Sequence, residues 1–133
     1  MLLVLAAAGC GAPQIPPSIP PETPSAITLR HVVFISLKDK ADLALLEVAC
    51  DSKLESIPGV LEYARGRHID TGRTTVDRDY DLAISVGFSS LAAYRGYLVH
   101  PQHIALVGEW KDKFRAMRIY DFGASPSPAP EVP

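Results

Sequence analysis

The chain has 133 residues, of which 47% are hydrophobic and 21% charged, and its formal net charge is −2 at pH 7. This length fits one domain with flanking segments. A chain without net positive charge lacks the basic face that nucleic-acid binding normally requires, so we expect no nucleic-acid partner.

The first nine residues are apolar and small, and Cys10 follows them directly. Residues 5–10, Leu-Ala-Ala-Ala-Gly-Cys, resemble the end of a bacterial lipoprotein signal peptide, in which the peptidase cuts before a cysteine that carries diacylglycerol. The resemblance implies a signal peptide at 1–9, a lipid anchor on Cys10 and a location at the cell envelope, on the periplasmic or extracytoplasmic face of the membrane. The alternative is an apolar N-terminus on a cytoplasmic protein. The run is too short to span a bilayer as a helix.

Proline-rich segments flank the middle of the chain. Residues 11–26 contain six prolines and one charge, Glu22, and residues 124–133 contain four more prolines. Neither segment has enough large apolar side chains to offset the entropy lost on ordering. We therefore expect residues 10–26 to act as a tether, residues 124–133 to be disordered, and one domain to fold over 27–123.

The first half of this domain reads as strand, helix and strand. Residues 28–37 are β-branched and apolar, as in a strand covered on both faces. Residues 41–56 have apolar positions at helical spacing, and Pro58-Gly59 ends that helix. Cys50 lies on the apolar stripe, where a buried small hydrophobe is expected rather than a reactive thiol. Residues 60–69 form a weaker second strand.

After a charged connection at 70–80, four further elements are predicted. They are a strand at 81–88, a helix at 91–99 capped by Ser89, a helix at 101–114 and a strand at 115–122. The order β-α-β-β-α-α-β predicts an α+β ferredoxin-like sandwich with its helices on one face of the sheet. The first strand is apolar on its other face too, through Val32 and Phe34, so a second subunit is expected to cover it as a homodimer.

Two of the four histidines lie in the stretch 97–103, Tyr-Leu-Val-His-Pro-Gln-His. Pro101 suits the first position of a helix, which makes His100 a capping residue and places His103 in the first turn. The positive end of the helix dipole there favours neutral imidazole, which can accept a proton or bind a metal. Tight metal sites need three or four ligands, and no further residue completes a recognised pattern, so no metal site is predicted.

Several short motifs occur in a specific order along the chain. They are Arg30–Phe34, Ile57–Val60, Tyr80–Ala83, Phe88–Ser90, Tyr94, His100–His103 and Tyr120–Phe122. Together they resemble the stress-responsive α/β-barrel domain family, Dabb, over about residues 29–122. The resemblance implies a dimeric α/β barrel, in which two four-stranded sheets pack face to face.

The family includes plant stress-induced proteins and a plant polyketide cyclase that closes a ring by aldol condensation. In that enzyme a histidine on the first strand, the second histidine of His-Pro-x-His and a tyrosine before it serve the chemistry. His31, His103 and Tyr97 match these positions. Family membership alone implies little about chemistry, and no cofactor is implied. Each histidine also has a structural interpretation: His31 bonded to backbone or a carboxylate at the strand's end, and His103 in helix capping and packing.

Three functions follow. The first is a dimeric small-molecule-binding or structural domain at the cell envelope, with His103 already satisfied by protein partners. The second is a cofactor-independent lyase or polyketide-cyclase-like enzyme, in which His103 is the general base and His31 and Tyr97 bind the carbonyl of a small apolar ligand. The third, a cofactor-independent oxygenase, rests on fold analogy alone.

Overall fold

The computed structural model describes residues 26–123, which form four strands and three α-helices. In chain order these are β1 (Leu29–Leu37), α1 (Leu43–Leu54), β2 (Val60–Gly66), β3 (Leu82–Phe88), α2 (Leu91–Leu98), α3 (Pro101–Trp110) and β4 (Phe114–Gly123). The predicted α+β ferredoxin-like fold and its element order are confirmed. The predictions for residues 1–25, including Cys10, and for 124–133 lie outside the described residues.

The sheet has the order β2-β3-β1-β4, and every neighbouring pair is antiparallel. β1 therefore lies in the interior of the sheet, and β4 is an edge strand. The register places His31 of β1 directly opposite Asp121 of β4 on one side and Val86 of β3 on the other. Because residues directly opposite each other project to the same face, His31 and Asp121 are neighbours on the helix-covered face.

The core lies between the sheet and the helices. Val33, Ile35 and Leu37 of β1 are buried, whereas the alternate residues Val32 and Phe34 are only partly buried. The other buried apolar side chains of this core are Leu46, Cys50, Leu54, Ile57, Leu82, Ile84, Val86, Phe88, Tyr97, Leu106 and Trp110. The expectation that Cys50 is buried is confirmed, and burial raises the pKa of its thiol to about 12.

The opposite face of the sheet is apolar around β1 and β4. Val32 and Phe34 of β1 lie beside Tyr120 and Arg118 of β4, and Tyr120 is more than half exposed. Phe34 contacts Tyr80 of the β2–β3 connection, with 4.9 Å between the ring centroids. β1 thus carries apolar residues on both faces, as its sequence indicates. Among residues 26–123, no helix is long and apolar enough to cross a membrane.

Two boundaries differ from the sequence-based expectation at the helix ends. Ser90, rather than Ser89, is the N-cap of α2, and its hydroxyl accepts a hydrogen bond from the Ala93 amide at 3.1 Å. The helix predicted to reach Phe114 ends at Trp110; a 3₁₀ turn at Lys111–Lys113 follows, and Phe114 pairs with Leu37 and begins β4. The backbone of Phe114 is hydrogen-bonded in the sheet and so cannot continue the helix.

β2 is shorter than expected, ending at Gly66 rather than Ile69. Gly66 pairs with Ala83 near the start of β3, so the following residues have no strand opposite them. Arg67 turns instead to α1, where its guanidinium bonds both carboxylate oxygens of Glu47 at 2.8 and 2.6 Å. This bidentate pair holds the end of the edge strand against the helix layer and lowers the pKa of Glu47.

Candidate functional site

A cavity of about 390 Å³ lies between the helix-covered face of the sheet and the three α-helices. Most of its wall is apolar, with polar side chains from five residues: His31, Tyr94, Tyr97, His103 and Asp121. Met117 and Ile119 line the cavity and are almost half exposed, so it reaches the surface beside β4. An apolar cavity of this size with a few convergent polar groups is typical of small-molecule sites.

The structure brings the three sequence-derived candidates together. His31, Tyr97 and His103 all line this cavity, although they come from β1, α2 and α3. The Tyr97 ring lies between the two imidazoles, with centroid distances of 6.0 Å to His31 and 4.6 Å to His103. One small ligand can therefore contact all three side chains.

His103 is fixed by the backbone at the start of α3. As expected, Pro101 occupies the first turn, and His100 is the N-cap, with Nδ1 accepting from the Gln102 amide at 3.3 Å. The Nδ1 atom of His103 lies 3.1 Å from the carbonyl oxygen of Leu98. A carbonyl can only accept, so Nδ1 donates the proton and Nε2 keeps its lone pair.

The pKa of His103 is lowered from its ordinary value of 6.5. The largest cause is burial, which disfavours imidazolium, and the hydrogen bond to Leu98 partly offsets it. The lowered pKa agrees in direction with the neutral imidazole expected at the start of this helix, and burial is its largest cause. At pH 7 this side chain is therefore neutral, with Nε2 as a proton acceptor.

His31 is held by two residues that are not among the sequence-derived candidates. Its Nδ1 lies 2.6 Å from Oδ1 of Asp121, and the Tyr94 hydroxyl donates to Oδ2 of the same carboxylate at 2.8 Å. A carboxylate accepts, so Nδ1 of neutral His31 carries the proton and Nε2 is left with the lone pair. The contact matches the structural interpretation of His31, but the residue also lines the cavity.

Asp121 and Tyr94 carried weak signals in the sequence. Asp121 lies 90 positions from His31, and only the β1–β4 register shows that the two are neighbours. Tyr94 and Tyr97 share a helix face at i, i+3, a spacing that core residues also show. In the structure both rings contact Phe88, at centroid distances of 5.4 and 5.1 Å, and both also line the cavity.

The Tyr97 hydroxyl is available to a ligand. The residue is 2% exposed, and its hydroxyl has no hydrogen-bond partner among residues 26–123. Burial raises its pKa, so the group stays protonated and can donate. Across the same part of the chain, no three His, Cys, Asp or Glu side chains cluster in a way that could hold a metal ion.

A model of the stress responsive A/B barrel domain, Dabb, matches residues 29–124. The chain is a member of the Dabb family. Curated protein sequences give no significant match.

Solved structures share the Dabb fold. A ferredoxin-like Dabb family protein from Mesorhizobium loti is 26% identical, with a TM-score of 0.64, over 75% of this chain and 99% of that one. A dimeric ferredoxin-like protein of unknown function from Thermobifida fusca is 20% identical, with a TM-score of 0.62, over 77% and 96%. The hydroxynitrile lyase of Passiflora edulis is 13% identical, with a TM-score of 0.65, over 76% and 96%.

Proposed function

We propose that the cavity binds a small, mainly apolar molecule with a carbonyl or hydroxyl group, and that the protein acts on it as a cofactor-independent lyase. The observation that carries this proposal is the convergence of three hydrogen-bonding groups on one apolar cavity. These are Nε2 of His103, Nε2 of His31 and the hydroxyl of Tyr97, none of which has a protein partner among the described residues.

His103 acts as the general base in this reaction. Its Nε2 takes the hydroxyl proton of the substrate, a carbonyl forms as the neighbouring carbon–carbon bond breaks, and the electron pair leaves with the departing carbon. The imidazolium then returns the proton to that carbon, so atoms and charge balance without a cofactor. The Tyr97 hydroxyl donates to the substrate oxygen, and His31 orients the substrate through Nε2.

Support from relatives is limited to the fold, since the hydroxynitrile lyase is 13% identical. A hydroxynitrile is nevertheless a direct test substrate. Mandelonitrile cleavage releases benzaldehyde, which is followed by absorbance, and diacetone alcohol cleavage is assayed in parallel as a retro-aldol reaction. We expect cleavage of at least one probe by the wild type and a loss of about 100-fold or more in His103→Ala. Wild-type rates equal to buffer for both probes contradict these lyase reactions.

A second candidate function is ligand binding without catalysis. The bond from Nδ1 of His103 to Leu98 favours it, because this bond satisfies half of the imidazole within the protein. A thermal-shift screen with benzaldehyde and related carbonyl compounds separates the two. Stabilisation without turnover indicates a binding protein, and stabilisation that His103→Ala leaves unchanged removes His103 from the binding site.

We also propose that the protein is a homodimer through the open face of the sheet. Val32, Phe34, Tyr120 and Phe122 lie on that face, and the T. fusca relative is dimeric. Sedimentation of the wild type at micromolar concentration is expected to give twice the chain mass, and Phe122→Lys is expected to shift it toward monomer. A monomeric wild type contradicts this assembly.

For location, we propose lipidation at Cys10 and anchoring at the cell envelope. The support is the sequence of residues 5–10. Mass spectrometry of the mature protein from a bacterial host is expected to show diacylglycerol on an N-terminal Cys10. An intact Met1 together with an unmodified Cys10 contradicts the anchor.

A further inference from the structure

Asp121 occupies an unusual position for an ordered carboxylate. Its side chain is 42% exposed and comes from the edge strand β4. An exposed carboxylate is ordinarily hydrated and free to change rotamer, and isolated surface contacts hold it weakly. Here both oxygens are engaged on the cavity side, Oδ1 by His31 at 2.6 Å and Oδ2 by the Tyr94 hydroxyl at 2.8 Å.

Tyr94 reaches this carboxylate from the helix layer. The Ser90 cap fixes the start of α2, and the Tyr94 ring packs 5.4 Å from Phe88 and 5.3 Å from His31. Its hydroxyl oxygen also lies 3.4 Å from Nδ1 of His31. The hydroxyl has one proton, and the 2.8 Å contact to Asp121 is the better hydrogen bond. Tyr94 thus connects α2 to β4 at the polar end of the cavity.

We propose that Tyr94 is a positioning residue that holds Asp121 and, through it, keeps His31 as the Nδ1–H tautomer. With Nδ1 protonated and bound to Asp121, the lone pair of Nε2 is the one available to a ligand. The expected effect of Tyr94 on kcat rests on the proposed lyase function, but the tautomer of His31 does not.

The physical cause is the chain of hydrogen bonds to one charged group. Bonds to a carboxylate are stronger than neutral ones, and each fixes the geometry of the next. Without the Tyr94 hydroxyl, Oδ2 of Asp121 gains a water partner and the exposed carboxylate can rotate away from the cavity. His31 then loses its acceptor at Nδ1, and the Nε2–H tautomer becomes populated.

The first test is ¹⁵N NMR of the histidine ring nitrogens at pH 8, with Tyr94→Phe compared with wild type. We expect Nδ1 of His31 to be protonated in the wild type and the Tyr94→Phe signal to shift toward the Nε2–H tautomer. The matched control is Tyr63→Phe, which removes a tyrosine–aspartate bond of 3.0 Å to Asp51; neither of these residues lines the cavity. Identical His31 shifts in wild type and Tyr94→Phe overturn the proposal.

A second variant keeps the proposal testable if Tyr94→Phe does not fold. In Asp121→Asn, the amide oxygen takes the place of Oδ2 if the Tyr94 hydroxyl holds the group there, because the hydroxyl donates. The NH₂ group then faces His31. Nδ1 must then accept, so we expect the tautomer to invert to Nε2–H. If Tyr94 does not hold the group, the amide turns its oxygen to His31 and the wild-type tautomer persists, which overturns the proposal.

Kinetics provide a further readout where the lyase reaction is measured. We expect Tyr94→Phe to lower kcat about tenfold and to change KM by less than about twofold, because His31 becomes misoriented while the apolar cavity is kept. An inactive wild type contradicts the lyase proposal but leaves the NMR result intact. A normal kcat alongside an altered tautomer shows that Tyr94 positions His31 without serving catalysis.

Discussion

Removal of the Tyr97 hydroxyl separates stability from function. In Tyr97→Phe, the ring keeps its contacts with Phe88 and His103, and the lost hydroxyl had no protein partner within residues 26–123. We therefore expect the free energy of unfolding to change by less than about 0.5 kcal/mol.

The same substitution removes a donor to the substrate oxygen. A hydrogen bond to a charged oxygen contributes about 1.5–3 kcal/mol, which corresponds to a loss of about 10- to 160-fold in kcat/KM. Binding of a neutral carbonyl ligand changes less, because a neutral bond contributes about 0.5–1.5 kcal/mol. A fall in activity without a fall in stability is the signature of a functional hydroxyl.

Urea unfolding followed by Trp110 fluorescence measures the stability, and mandelonitrile or diacetone alcohol cleavage measures kcat/KM. Tyr63→Phe is the control, since it breaks the bond to Asp51; we expect it to destabilise by about 1–2 kcal/mol with unchanged kcat/KM. A Tyr97→Phe protein that loses more than about 1.5 kcal/mol of stability and keeps full activity refutes the reasoning. The hydroxyl would then serve the fold.

Three further outcomes are expected. Because the pKa of His103 is lowered, the acid limb of kcat/KM lies below pH 6.5. The free energy of unfolding falls as the pH drops through 6.5, because His103 takes up its proton at a higher pH in the unfolded state than in the folded state. His103→Asn reduces this fall between pH 7.5 and 5.5, and an unchanged slope contradicts the expectation. Leu46→Ala destabilises by about 2–5 kcal/mol in urea, since Leu46 is 0% exposed; a loss under about 1 kcal/mol would place it outside the core. In a Cys10→Ser background, Cys50 is 1% exposed and its pKa is raised to about 12, so it reacts with Ellman's reagent at pH 8 much more slowly than in the unfolded chain; equal rates would disprove its burial.

Sequence periodicity was sufficient for the fold because the core residues obey simple rules. Val33, Ile35 and Leu37 alternate on one strand face, and the buried apolar residues of α1, Leu46, Cys50 and Leu54, recur at helical spacing. Boundaries were less predictable where two local signals compete. Ser89 and Ser90 both suit a cap, and only the backbone conformation of Ser90, with φ −161° and ψ 161°, selects it.

The candidate site was predictable in part. Tyr97 and His103 lie six positions apart, at the end of α2 and the start of α3. The resemblance to the family added His31. Asp121 depends on strand register over 90 positions, which periodicity does not specify. Burial as the main cause of the lowered pKa of His103 likewise depends on tertiary packing.

The most direct measurement is a crystal structure of the protein with benzaldehyde, the carbonyl product of mandelonitrile cleavage. We expect the ring within the apolar cavity and the carbonyl oxygen within about 2.6–3.2 Å of the Tyr97 hydroxyl, on the side of the cavity that carries Nε2 of His103. Benzaldehyde bound elsewhere, or oriented with its carbonyl away from Tyr97 and His103, contradicts a shared acid–base site in this cavity.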